Sequence, residues 1–115
     1  MQAIFVELPA FERLRPSYLS DEEFLALQQA LMAQPEAGDV IPGAGGLRKL
    51  RFADRRRGKG TRGGLRVIYF YWSAGQQFWL ITLYNKNEVA DLTAGQRRIL
   101  KGLIDAELAV RRLDG

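Results

Sequence analysis

Along this chain apolar positions follow two rhythms, one of period two and one of period three to four. Ala3 to Leu8 (AIFVEL) has the β-branched and aromatic content of a short strand, and Pro9 ends it. Ser20-Asp21-Glu22-Glu23 reads as a capping box, in which the Ser20 hydroxyl caps the amide three residues on and Glu23 bonds back. Behind it Phe24, Leu27 and Leu31, with Leu25 and Met32 beside them, predict an amphipathic helix that ends near Gln34-Pro35. Glu36 to Gly46 (EAGDVIPGAGG) is rich in turn formers and predicts a connector without regular structure. Leu47 to Phe52 then alternates, with Leu47, Lys49 and Arg51 on one face and Arg48, Leu50 and Phe52 on the other.

Ala53 to Gly64 is a glycine-rich basic loop, followed by two strands, Leu65 to Trp72 and Gln77 to Tyr84, joined by the short turn Ser73-Ala74-Gly75-Gln76. Both strands are apolar on both faces, which predicts central positions covered from each side. Thr93 with Gln96 forms a second capping box, opening a last helix to about Leu113. Ile99, Leu103, Ala106, Val110 and Leu113 predict its inner stripe, flanked by Leu100 and Ile104, while Gly95 and Gly102 weaken it by about 1 kcal/mol each. The order predicts an α+β domain spanning residues 1–115: a small, mainly antiparallel sheet with N-terminal helices and a C-terminal helix. The aromatics Tyr69, Phe70, Tyr71, Trp72, Phe78 and Trp79 are expected as core and cross-strand pairs rather than as a base-stacking platform.

Composition narrows the chemistry. The chain has no cysteine, which excludes disulfides, thiolate chemistry and sulfur-ligated zinc, and no histidine, which removes the usual neutral-pH acid and base. Catalysis would rest on Lys, Arg, Glu, Asp, Tyr or Ser, with no metal site and no cofactor expected. No run of about 18 apolar residues occurs, and MQAIFVELPAFE lacks a basic start and a hydrophobic signal core, so a cytoplasmic protein without a membrane span is expected.

Charge changes the picture most. Gly46 to Arg66 (GLRKLRFADRRRGKGTRGGLR) holds nine of the 17 Lys and Arg residues and one acid, a net of +8 in a chain whose total is +4. The remainder is therefore mildly acidic, and the basic segment is a magnet for polyanions. Arg48, Arg55, Arg56, Arg57, Lys59 and Arg62 are candidate RNA or ribosome contacts. Arg66 is expected at the strand end, its rigid fork suited to phosphate. Tyr84-Asn85-Lys86-Asn87-Glu88 closes the last strand, where Lys86, Glu88 and Tyr84 are candidates for moving protons. Arg97, Arg98 and Lys101 fall together on the last helix, where a solvated face is the default expectation.

GLRKLR, the basic loop, GLRVIYFYW and LYNKNEVADLT before a terminal helix together resemble the RelE/HigB toxins of bacterial toxin–antitoxin pairs. The similarity runs from about Gly46 to the C-terminus and is closest to the HigB-like branch with a KNE-x-x-DLT tail. It implies a RelE-like, microbial-ribonuclease-like fold and a metal-independent endoribonuclease that cuts mRNA on the ribosome by attack of the ribose 2′-oxygen on the adjacent phosphate. It further implies silencing by a cognate antitoxin, expected to be of helix-turn-helix type, through which alone operator DNA is contacted. Carried over, the family's paired basic residues fall on Lys49 and Arg51, its strand-opening arginine on Arg66, and its strand-end lysine on Lys86 with Glu88 behind. Arg51 and Arg66 would then stabilise the pentacoordinate phosphorus, and Lys49, Lys86 or Glu88 would handle protons. The chain departs from some relatives in having Asn87 after that lysine and Ala90-Asp91-Leu92 where they carry a tyrosine. Two other readings stand beside this one: a non-catalytic nucleic-acid or ribosome-binding module, and a ParE-like gyrase poison.

Overall fold

A computed structural model describes residues 2–52, 64–86 and 92–114, with side chains described as far as Arg111. The chain runs β1 (Ile4–Glu7), α1 (Pro9–Tyr18), α2 (Asp21–Ala33), β2 (Asp39–Val40), β3 (Arg48–Phe52), β4 (Leu65–Trp72), β5 (Gln77–Asn85) and α3 (Ala94–Asp114). The strands form one sheet in the order β1-β5-β4-β3-β2, so the two doubly apolar strands are central, as their composition predicts. Three of the four pairings are antiparallel; β1 lies parallel to β5. The fold is α+β. Among the described residues no helix is long and apolar enough to cross a membrane.

Before β3, two elements differ from the sequence reading. Pro9 does more than end β1: it stands in the first turn of α1, where its fixed φ suits a helix and its missing N–H costs nothing. The connector after α2 is not wholly irregular. Asp39 and Val40 pair with Lys49 and Arg48 to make β2, a fifth strand too short to show any periodicity.

The sheet separates two cores. On one face Phe11 of α1, Leu19, and Leu27 and Leu31 of α2 pack on Leu65, Val67, Tyr69, Phe78, Leu80 and Leu83. The Ser20 capping box is complete, with Ser20 Oγ accepting from the Glu23 amide at 3.1 Å and Glu23 Oε1 accepting from the Ser20 amide at 2.9 Å. Arg15 ties β1, α1 and α2 together: it donates to Glu7 at 3.1 Å and to Asp21 at 3.4 Å, and its guanidinium lies 4.5 Å from the Phe24 ring centroid.

On the other face the connector (Ile41, Ala44, Leu47) and Ile104 of α3 cover Ile68, Phe70, Trp79, Ile81 and Tyr84. The aromatics form cross-strand pairs as expected, among them Phe70–Trp79 at 5.1 Å and Tyr71–Phe78 at 4.7 Å between centroids. Helix α3 turns a different side to the sheet from the one expected. Leu100, Ile104 and Leu108 face inward, and Arg111 lies over Trp79 at 5.0 Å and Trp72 at 5.4 Å. Ile99, Leu103, Ala106 and Val110 are exposed; the Leu113 side chain lies outside the described residues. The helix carries two apolar stripes, and the one that docks runs between Arg97 and Arg111.

Candidate nucleic-acid interface

Strand register builds the site in two lateral rows on the α3 face. Asp39, Lys49, Ile68 and Thr82 stand opposite one another across β2, β3, β4 and β5, and Arg51, Arg66 and Tyr84 form the next row. Lys49 and Arg51 share a face, as alternation predicts.

Tyr84 reaches this face only because β5 carries a bulge. Ile68 pairs with Thr82 and Tyr69 with Leu80, so Ile81 is an extra residue. Strict alternation would send Tyr84 to the opposite side with Phe78 and Leu80; the inserted residue reverses the parity from Thr82 onward. Bulges commonly re-aim a side chain in this way.

Around these rows lies a cleft of about 290 Å³, lined by Asp39, Lys49, Arg51, Tyr84 and Arg97 with an apolar floor that includes Ile68 and Leu92. Arg97 comes from the first turn of α3. That turn is held by the second capping box: Thr93 Oγ1 accepts from the Gln96 amide at 3.1 Å, Gln96 Oε1 from the Thr93 amide at 2.9 Å, and the Arg97 amide donates to Thr93 O at 3.0 Å. Arg51 is exposed and Arg97 half-buried, and among the described residues neither makes an ion pair. Two guanidinium forks and an ammonium round one concavity can take the oxygens of a phosphodiester. A phenol and the Asp39 carboxylate on the same walls add a hydrogen-bond donor and a proton acceptor.

The wall that carries Asp39 is fixed from behind. Tyr69 points to the other face of the sheet, and its hydroxyl reaches the connector, donating to Pro35 O at 2.8 Å and accepting from the Gly38 amide at 3.0 Å. Burial raises the phenol above its ordinary pKa of 10.0, against the Gly38 hydrogen bond and the nearby Arg48 charge, which pull it down. Gly38 has no room for a side chain: a Cβ there would stand 2.9 Å from Tyr69 Cε1 and 3.0 Å from the Lys49 backbone. Arg48 contributes as a clamp, donating to Gly38 O at 2.8 Å and to Glu36 O at 3.3 Å.

The expected site residues therefore divide. Lys49, Arg51 and Tyr84 meet in the cleft. Arg66 lies between Arg51 and Tyr84 but is 4% exposed, with Nη1 donating to Gly64 O at 3.1 Å, so it belongs to the interior rather than to an open strand end. Lys86 is exposed past the end of β5, where its amide meets Gly64 O at 3.5 Å, and it does not line the cleft. Arg48 turns to the other face and holds the connector. Glu88, Arg55, Arg56, Arg57, Lys59 and Arg62 lie outside the described residues.

Two cleft residues are not legible in the sequence. Arg97 stands where a solvated face is the default expectation, yet it sits three residues before Leu100 and seven before Ile104, on the stripe that docks. Asp39 has no local signal, because β2 exists only through its pairing with β3. No protein-family model matches this sequence.

Proposed function

We propose that this protein is an endoribonuclease of the RelE/HigB kind, acting without a metal on mRNA in the ribosome and held silent by a helix-turn-helix antitoxin. The observation that carries the reading is the convergence of Lys49, Arg51 and Arg97 with Tyr84 and Asp39 on one cleft; Lys49 and Arg51 belong to a stretch of sequence, Gly46 to Arg66, of net charge +8. A polyanion is the natural occupant of such a surface, and an RNA phosphodiester carries its own nucleophile in the 2′-hydroxyl.

In the proposed reaction Arg51 and Arg97 hold the non-bridging oxygens of the scissile phosphate. Asp39 takes the proton of the 2′-hydroxyl as the 2′-oxygen attacks phosphorus. The P–O5′ bond breaks as Lys49 gives a proton to the leaving oxygen. The products are a 2′,3′-cyclic phosphate and a free 5′-hydroxyl. Tyr84 donates to a phosphate oxygen, and Arg66 acts as a positioning residue that fixes the row between Arg51 and Tyr84. A single preorganised hydrogen-bond donor aimed at charge that grows in the transition state is worth about 10²–10³ in rate.

The test is primer extension on a defined mRNA in a reconstituted translation system, with and without ribosomes. Cuts that need both the ribosome and Arg51 support the reading. Ribosome binding with intact mRNA points to a binding module, and DNA damage with intact mRNA points to a gyrase poison; either result refutes it.

A further inference from the structure

Asp39 enters the cleft from the shortest strand of the sheet. Strand β2 has two residues and lies at the edge, with Asp39 opposite Lys49 and Val40 opposite Arg48. Both residues are exposed, so burial does not hold them. Among the described residues the Asp39 carboxylate makes no ion pair and accepts no hydrogen bond. It is therefore only as well placed as the backbone that carries it.

That backbone is anchored at both ends. Gly38, just before Asp39, is gripped from two strands: its amide donates to the Tyr69 hydroxyl of β4 at 3.0 Å, and its carbonyl accepts from Arg48 Nη1 of β3 at 2.8 Å. The approach is so close that a Cβ on Gly38 would stand 2.9 Å from Tyr69 Cε1 and 3.0 Å from the Lys49 carbonyl. After β2, Ile41 is buried and its amide donates to Leu47 O at 2.9 Å.

The Tyr69 ring fills the α1 core at zero exposure, a place that phenylalanine would fill as well. A buried hydroxyl is costly unless it is bonded. Here it accepts from Gly38 and donates to Pro35 O at 2.8 Å, so both of its bonding roles go to the segment that delivers Asp39.

We infer that Tyr69 is a positioning residue for the cleft: acting through Gly38 from the far side of the sheet, it sets Asp39 opposite Lys49. The inference rests on the proposed reaction, in which Asp39 takes the proton of the 2′-hydroxyl. A proton acceptor works within about 2.6–3.2 Å of the group it deprotonates, so a displaced β2 backbone acts on rate. Arg51 and Arg97 stand on β3 and α3, not on the connector, and phosphate binding is left as it is.

The test compares wild type, Tyr69→Phe, Asp39→Asn and the double variant in the reconstituted translation system with ribosomes. All four are assayed at neutral pH and well below their melting midpoints, so that their folded fractions are equal. Two quantities are read: the single-turnover rate of mRNA cutting with protein in excess, and the protein concentration that gives half that rate. Asp39→Asn lowers the rate about 10²–10⁴-fold, the contribution of a general base. Tyr69→Phe lowers it about 10–10²-fold, the scale of a misplaced catalytic group, and leaves the half-saturating concentration unchanged. In the Asp39→Asn background Tyr69→Phe lowers the rate no further, whereas a merely structural tyrosine would lower it by the same factor in both backgrounds. Gly38→Ala, which displaces the same backbone by another route, follows the same pattern. Independently of activity, amide hydrogen exchange at residues 38–40 quickens in Tyr69→Phe while that of β4 and β5 does not.

Equal factors in the two backgrounds, a Tyr69→Phe as fast as wild type, a raised half-saturating concentration at an unchanged rate, or unaltered exchange at residues 38–40 overturns the inference and leaves the proposed reaction standing. An Asp39→Asn as fast as wild type removes Asp39 from the reaction, and uncut mRNA with the wild type removes the reaction itself; either result takes the inference with it.

Discussion

The two faces of the sheet are built for different work. The face under α1 and α2 is sealed: Phe11, Leu27 and Leu31 have no exposure, and Arg15, which bridges its elements, is paired with Glu7 and Asp21. The face under α3 is half open. Of the described α3 side chains only Ile104 is fully buried, and beside it a cleft gathers Lys49, Arg51 and Arg97. Like charges opposite one another in a sheet are destabilising, so Arg51 across from Arg66 is an arrangement not found on the α1 side among the described residues. Both faces carry a buried core, and the α3 face leaves room beside its core for charges that can serve a polyanion.

Breaking the sealed face should have the largest effect. Phe11→Ala is expected to cost about 3–5 kcal/mol in denaturant unfolding, because a ring at zero exposure leaves a cavity among residues of two helices and the sheet. A loss under 1 kcal/mol would mean that this core is not the main support of the fold.

Tyr69 sharpens the comparison, since its ring lies in the sealed core while its hydroxyl holds the wall of the cleft. Tyr69→Phe leaves the buried Gly38 amide without its acceptor and should cost about 1–3 kcal/mol. The same residue sets an alkaline limit. The folded phenol titrates above 10.0 and the unfolded one near it, so the folded state holds the proton longer. That contribution to stability is complete below the unfolded value and is lost as pH rises through the folded value. Wild type should therefore lose stability from about pH 10 upward more steeply than Tyr69→Phe, in urea melts taken at several alkaline pH values.

The smallest effect belongs to the caps. Ser20→Ala and Thr93→Ala each remove one side-chain acceptor, worth about 1 kcal/mol. For Ser20 the loss should register in global stability, because α2 is part of the main core. For Thr93 hydrogen exchange should quicken in the first turn of α3 with little change in the global midpoint.

Much of this architecture is legible in the sequence, because it is set by local chemistry. Both capping boxes, the turn at Ser73–Gln76, the central placement of β4 and β5, and the shared face of Lys49 and Arg51 follow from composition and alternation. The rest is decided by tertiary context. An inserted residue at Ile81 turns Tyr84 into the cleft, and no property of isoleucine announces it. A helix apolar on two sides, as α3 is, does not say which stripe docks. Arg66 opens a strand, where an exposed end is the natural expectation, yet Gly64 and the neighbouring strands bury it. Its loss is therefore a poor probe of chemistry, because fold and activity would fall together. Arg51, exposed and without an ion pair among the described residues, is the better one.

The most direct test of the cationic cleft is a double-mutant cycle on Arg51→Gln and Arg97→Gln, read as affinity for a short single-stranded RNA by fluorescence anisotropy. If strand β3 and helix α3 grip the same phosphate, the two losses are not additive, with a coupling of about 0.5–3 kcal/mol. Strictly additive losses, or affinity unchanged in both single variants, would contradict the account.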